Sequence, residues 1–212
     1  MALGLAATLD PVKLAARLDV SGWASPMAQL TISRLSPSGY TAAVRGVVDL
    51  AVTGSSYTTR DYEVPLGTAV TYTATAKDSG GATVATATAT FTVPYTDCEA
   101  WLVDLARPTN TVQLVIESLA ELDYLIPSGI HRVLDRRSPV VVALPAYTPS
   151  AELVVLTDTE TERDQLRALF GSGYPFLVRT DPALGIGNAY FAPSEFVEAR
   201  ILTPGRAPER RS

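Results

Sequence analysis

The feature that most constrains the fold is a two-residue alternation running from Thr68 to Val93. Val70, Tyr72, Ala74 and Ala76 point one way, and Thr71, Thr73 and Thr75 the other. After the turn Lys77-Asp78-Ser79-Gly80-Gly81, Ala85, Ala87, Ala89, Phe91 and Val93 alternate with Thr86, Thr88, Thr90 and Thr92. Period two on both sides of a polar, Gly-containing turn predicts an antiparallel hairpin with one buried face. Threonine suits the outer face, because its branched Cβ fits a pleated strand while its hydroxyl stays wet. An inner face so rich in alanine cannot fill a core unaided. A second sheet must press close, with Leu30, Ile32, Val44, Val47 and Val48 as candidates for the missing bulk. Residues 1–95 are therefore expected to form an immunoglobulin/fibronectin type III-like β-sandwich. Tyr72 opens the penultimate strand just after Pro65-Leu66-Gly67, the place of a tyrosine corner whose hydroxyl bonds backbone a few residues upstream. The plainer alternative is an ordinary half-buried aromatic.

Near Pro94 the texture changes, as threonine and alanine give way to Leu, Val, Arg and acidic residues. Val112, Leu114 and Ile116 alternate with Thr111, Gln113 and Val115. Short β-branched runs follow at 130–134, 139–144 and 152–157, each bounded by Pro, Ser or Gly. One helix is expected over 159–170. Thr159 and Glu162 make a capping box, Leu166, Leu169 and Phe170 form an apolar stripe, and Gly171 stops it. Strands at 174–179 and 195–202 flank the loop DPALGIGNAYFAP, which ends at Pro193. Residues 96–203 thus read as a β-barrel-like, split-barrel domain with one α-helix, and 204–212 as a loose Pro/Gly/Arg-rich tail. The chain as a whole is expected to be mainly β.

Charge and rare residues exclude much chemistry. With 212 residues and a net charge of −5, the chain lacks the basic footprint that nucleic acid requires. One His and one Cys build no zinc finger, iron–sulfur cluster or disulfide framework, so neither metal nor cofactor is expected. Apolar runs such as 140–144 fall far short of the roughly 20 residues of a membrane helix, so no membrane insertion is expected. No basic residue precedes Lys13, which argues against a secretory signal. His131 lies in an alternating stretch with Val133 and reads as a strand histidine. Cys98 sits between Asp97 and Glu99, whose charges oppose thiolate formation. Asp158, Glu160, Glu162 and Asp164 cluster at the helix start, where negative charge complements the dipole and Arg163 and Arg167 are in reach. Glu195 and Glu198 are expected on opposite faces of a strand. No carboxylate pair with glycosidase geometry emerges, and no catalysis is expected. Gly185-Ile186-Gly187 lacks the third glycine and the following helix of a dinucleotide site. The arginines, among them Arg136, Arg137, Arg206, Arg210 and Arg211, suit protein interfaces better than phosphates. Tyr40, Tyr57, Tyr147 and Tyr190 are read as loop aromatics able to stack on a sugar or a partner.

Several of these segments share a likeness. Asp61 to Gly81, preceded by Ala43-Val44-Arg45-Gly46, resembles the opening domain of minor tail proteins of actinobacterial siphophages. Ser128 to Leu134, Arg137 to Val142, Leu156 to Leu169, Phe176 to Thr180 and Tyr190-Phe191-Ala192 resemble the second half of those proteins. The resemblance implies a structural virion component of the distal tail or baseplate, assembled in the host cytoplasm. It further implies a ring of copies, six in number, that contacts tail tube, hub and tape measure. Family members continue past the Arg210-Arg211 pair into a further apolar strand, which implies that here that strand is either missing or replaced by a partner's. A carbohydrate-binding module for host cell-wall glycan is the alternative reading.

Overall fold

The computed structural model describes residues 2–94, 99–119, 128–131, 140–143, 152–157, 159–180, 188–193 and 195–198. The fold is mainly β: a sandwich followed by a curled half-barrel sheet that carries a helix. The sandwich holds β1 (Gly4–Asp10), β2 (Ala15–Ser21), β3 (Gln29–Leu35), β4 (Thr41–Ala43), β5 (Leu50–Ala51), β6 (Tyr57–Asp61), β7 (Ala69–Lys77) and β8 (Thr83–Thr92). One sheet runs β1-β2-β6 and the other β4-β3-β7-β8, with β5 beside β3. This is the strand order of a fibronectin type III-like sandwich. β1 lies against β8, so the β1/β8 edges share one flank and the β6/β4 edges the other.

The expected alternation holds residue by residue. Val70, Tyr72, Ala74 and Ala76 are buried, and their neighbours on β8 are half-buried, with Thr86, Thr88, Thr90 and Thr92 exposed. The bulk opposite the alanines comes from a different place than expected. Leu30 and Ile32 lie on β3, in the same sheet as β7, and Val44 and Val47 on the segment after β4. The facing sheet contributes Leu18 and Val20 from β2. Val48 is 58% exposed, because the chain turns there into the positive-φ residue Asp49. Gly22, at φ 74°, is required where it stands: a Cβ there would lie 2.2 Å from the Ala2 carbonyl oxygen.

The second module holds β9 (Glu99–Asp104), β10 (Thr111–Leu119), β11 (Ser128–His131), β12 (Val140–Ala143), β13 (Leu153–Leu156), α1 (Glu160–Gly171), β14 (Phe176–Arg179) and β15 (Asn188–Phe191). Its main sheet runs β13-β10-β9-β14-β15, with β11 and β12 as a separate antiparallel pair. The capping box of α1 forms as read: Thr159 accepts from the Glu162 amide, and the Glu162 carboxylate accepts from the Thr159 amide. The helix stops later than expected. Gly171 is still helical, Ser172 is the C-cap, and Gly173 at φ 68° supplies the left-handed residue that ends it. Two further expectations fail. Asn188–Phe191 is a strand rather than part of a loop, because it pairs with β14. Glu195–Glu198 is not strand: Phe196 stacks on Phe170 and Glu198 bonds Arg167, so the segment follows the helix instead of a sheet. The tail at 204–212 and Cys98 lie outside the described residues, as does the side chain of His131.

Candidate functional site

The strand β14 is buried on every residue, and the reason fixes the site. Successive side chains point to opposite faces of a sheet, and residues directly across a ladder share a face. Leu102, Phe176, Val178 and Phe191 face α1, where they form one core with Leu166 and Leu169. The register pairs Arg179 with Trp101 on one side and Asn188 on the other, so these three stand in one row on the opposite face. That face meets the sandwich. Trp101 belongs to the sandwich core, which also holds Tyr72 and Val64. Arg179 donates from Nε to the Val64 carbonyl at 3.0 Å and from Nη2 to the Leu14 carbonyl at 2.8 Å. Asn188 donates from Nδ2 to the Glu63 carbonyl at 2.8 Å.

Arg179 is wholly buried and has no ion-pair partner among the described residues, while its Nη1 lacks a hydrogen bond. Burial pulls its pKa down to about 10, and the nearby Asp61 charge opposes that fall. The guanidinium is still protonated at neutral pH. A buried cation held by backbone carbonyls fixes direction as well as distance, since its planar fork admits few orientations.

Beside it the sandwich carries its own polar centre. Arg34 on β3 forms a buried ion pair from Nη1 to Asp61 Oδ2, and the Tyr72 hydroxyl donates to the same oxygen at 2.9 Å. Asp61 Oδ1 accepts the Glu63 amide at 2.9 Å, which turns the chain out of β6. Burial disfavours the Arg34 charge, yet the Asp61 carboxylate beside it more than reverses this and raises its pKa. Tyr72 is held protonated by burial and by that same carboxylate. The expected tyrosine corner is thus a side-chain contact: the hydroxyl reaches a carboxylate eleven residues upstream, not a backbone group. The buried arginine needs that carboxylate, and the carboxylate takes the tyrosine with it.

At the rim, Glu63 collects three groups. Arg45 bonds its Oε1 at 2.6 Å, Tyr190 donates to Oε2 at 2.8 Å, and Asn188 holds its carbonyl. Burial, then Glu63, pushes the Tyr190 hydroxyl up to about 12. Next to this rim a cleft of about 310 Å³ runs along Thr58 to Glu63, with Val103, Leu105 and Pro108 as its opposite wall.

Of the four tyrosines singled out from sequence, the three described ones, Tyr40, Tyr57 and Tyr190, do not gather. Tyr190 is on β15 rather than in a loop, 55% exposed as a residue and with its hydroxyl committed to Glu63. Tyr57 begins β6 and packs against the sandwich core. Tyr40 is 69% exposed in the turn before β4, on the other sheet. Tyr147 lies outside the described residues. Close ring pairs among the described residues join phenylalanines, not these tyrosines. The acidic residues at the helix start behave as local electrostatics: Arg163 pairs with Glu160, and Arg167 with Asp164 and Glu198. Among the described residues no cluster of His, Cys, Asp and Glu could hold a metal, and no helix is long and apolar enough to cross a membrane.

Sequence reasoning passed over Arg34, Asp61, Arg179 and Asn188. The signal for Arg179 is a single charge closing the apolar run Phe176-Leu177-Val178. No protein-family model, no curated protein and no solved structure matches the chain.

Proposed function

We propose that the chain is a structural subunit of a phage tail tip, in which two β modules act as one block. It assembles into a closed ring that joins the tail tube to the host-attachment machinery. What supports this most is the order of the parts. A fibronectin type III-like sandwich comes first, and a half-barrel with a helix beginning at Glu160 follows, in the segments that resemble minor tail proteins. The row Trp101, Arg179 and Asn188 joins the two, which suits a part that must transmit load without hinging. On this reading the chain is not an enzyme, needs no cofactor, and meets copies of itself and neighbouring tail proteins. The glycan-binding alternative draws little support, because Tyr57 and Tyr190 are engaged within the molecule.

Sizing with light scattering and negative-stain imaging of the purified chain test the proposal. A closed ring of uniform size is expected, since homo-oligomers usually close on themselves. A chain that stays monomeric at every concentration contradicts it.

A further inference from the structure

The cleft beside β6 has two unlike walls. One is a strand edge. Among the described residues β6 pairs on one side only, with β2, and it stands at the end of its sheet. An antiparallel edge of this kind presents alternate N–H and C=O groups, and β6 contains no proline to block pairing. The other wall is apolar and comes from the second module: Val103, with the half-buried Leu105 and Pro108. Backbone on one side and apolar surface on the other is the environment of an added strand, whose main chain pairs with the edge while alternate side chains fill the space opposite.

Charge narrows the occupant. Arg45 and Arg60 line the cleft with side chains 52% and 46% exposed, whereas the carboxylates lining it, Glu63 and Asp61, are 16% and 3% exposed. Asp10, the partner of Arg60, is likewise mostly covered at 13%. Both arginines are paired within the molecule, Arg45 with Glu63 and Arg60 with Asp10. Yet their half-exposed side chains, rather than the covered carboxylates, meet an incoming chain, and a guanidinium bound through Nε keeps further donors for a carboxylate.

We propose that this cleft receives an extended, acidic segment of a partner protein as an added strand on β6, with its apolar side chains against Leu105 and Pro108 and a carboxylate at Arg45 and Arg60. The proposal concerns the cleft alone and does not depend on the tail reading, so a monomeric chain leaves it standing.

The probe is the peptide acetyl-Val-Glu-Val-Glu-Val-amide, with its lysine counterpart as comparison, added at millimolar concentration to the full chain and followed by amide hydrogen exchange and backbone shifts. The glutamate peptide is expected to slow exchange at alternate residues from Thr58 to Tyr62 and to bind about tenfold tighter than the lysine peptide. Arg45→Glu is expected to weaken the glutamate peptide about tenfold, and Leu105→Asp to abolish its binding, with thermal midpoints confirming that both variants fold. No protection along β6 at saturating shifts, or equal binding of the two peptides, overturns the proposal. Binding untouched by both substitutions overturns it as well.

Discussion

The two modules of this chain bury their apolar surface by different means. The sandwich closes on itself: two sheets face each other, and Leu18, Val20, Leu30, Ile32 and Val70 meet in one core. The half-barrel sheet is a single layer with two apolar faces. One is covered by α1, through Leu166 and Leu169, and the other by the sandwich itself. A sheet buried on both faces reads as a continuous apolar run, which is why Phe176-Leu177-Val178 shows no alternation. The contrast extends to buried charge. Arg34 has its carboxylate within the same module, while Arg179 relies on carbonyls of the other one. The first module pairs its buried charge within itself and takes only Trp101 into its core, whereas the second borrows.

The largest test of that asymmetry is to divide the chain. Residues 1–94 alone are expected to fold, with a cooperative denaturation curve. Residues 95–212 alone are expected to lack one, because the face carrying Leu177 and Arg179 would be bare. Equal cooperativity of the two halves breaks the comparison. Next comes Asp61→Ala, which leaves Arg34 buried without its counter-charge. A loss of about 3–5 kcal/mol is expected from urea denaturation, as for other buried pairs broken on one side. Arg179→Met should cost about 1.5–3 kcal/mol, the worth of hydrogen bonds from a charged group. Its signature is different in kind: the thermal transition is expected to split, the second module losing its structure ahead of the sandwich. A single sharp transition in this variant would show that the apolar contacts of Trp101 suffice. Tyr72→Phe removes one hydrogen bond while Arg34 stays paired, so about 0.5–1.5 kcal/mol is expected, with coupling intact.

The smallest effect concerns acid. Asp10 titrates below the usual 3.8 through its bond from Arg60, Asp19 through Thr58, and Asp49 through Lys77. All three belong to the sandwich. Each binds its proton less readily folded than unfolded, so its contribution is full above about 3.8 and fades as pH falls below that value. Thermal midpoints read from tryptophan fluorescence, which reports Trp23 and Trp101 in the sandwich core, should therefore drop below pH of about 3.8. Added salt should narrow the drop, since these pairs lie near the surface.

How much of this was legible in the sequence follows the same divide. The hairpin of β7 and β8 is plain, because threonine on one face and alanine on the other leave only one way to pair. The capping box at Thr159 and Glu162 is equally local, and it forms as read. The strand β2 is open to the same reading, since Ala16, Leu18 and Val20 alternate with Arg17 and Asp19. β15 escaped because its pairing with β14 is decided by register, not by any pattern within Asn188–Phe191. The module junction was hidden for a physical reason. Arg179 is held by carbonyls 115 and 165 residues away, and a carbonyl leaves no mark in a sequence. Asp61 was visible only as one acid among many, since its partners lie 27 and 11 residues distant on other strands.

Labelling purified phage particles with an antibody against this chain tests the account most directly. Label confined to the distal end of the tail, in copies spaced around its axis, is the predicted result. Particles that carry no label and no peptide of this chain by mass spectrometry would contradict it.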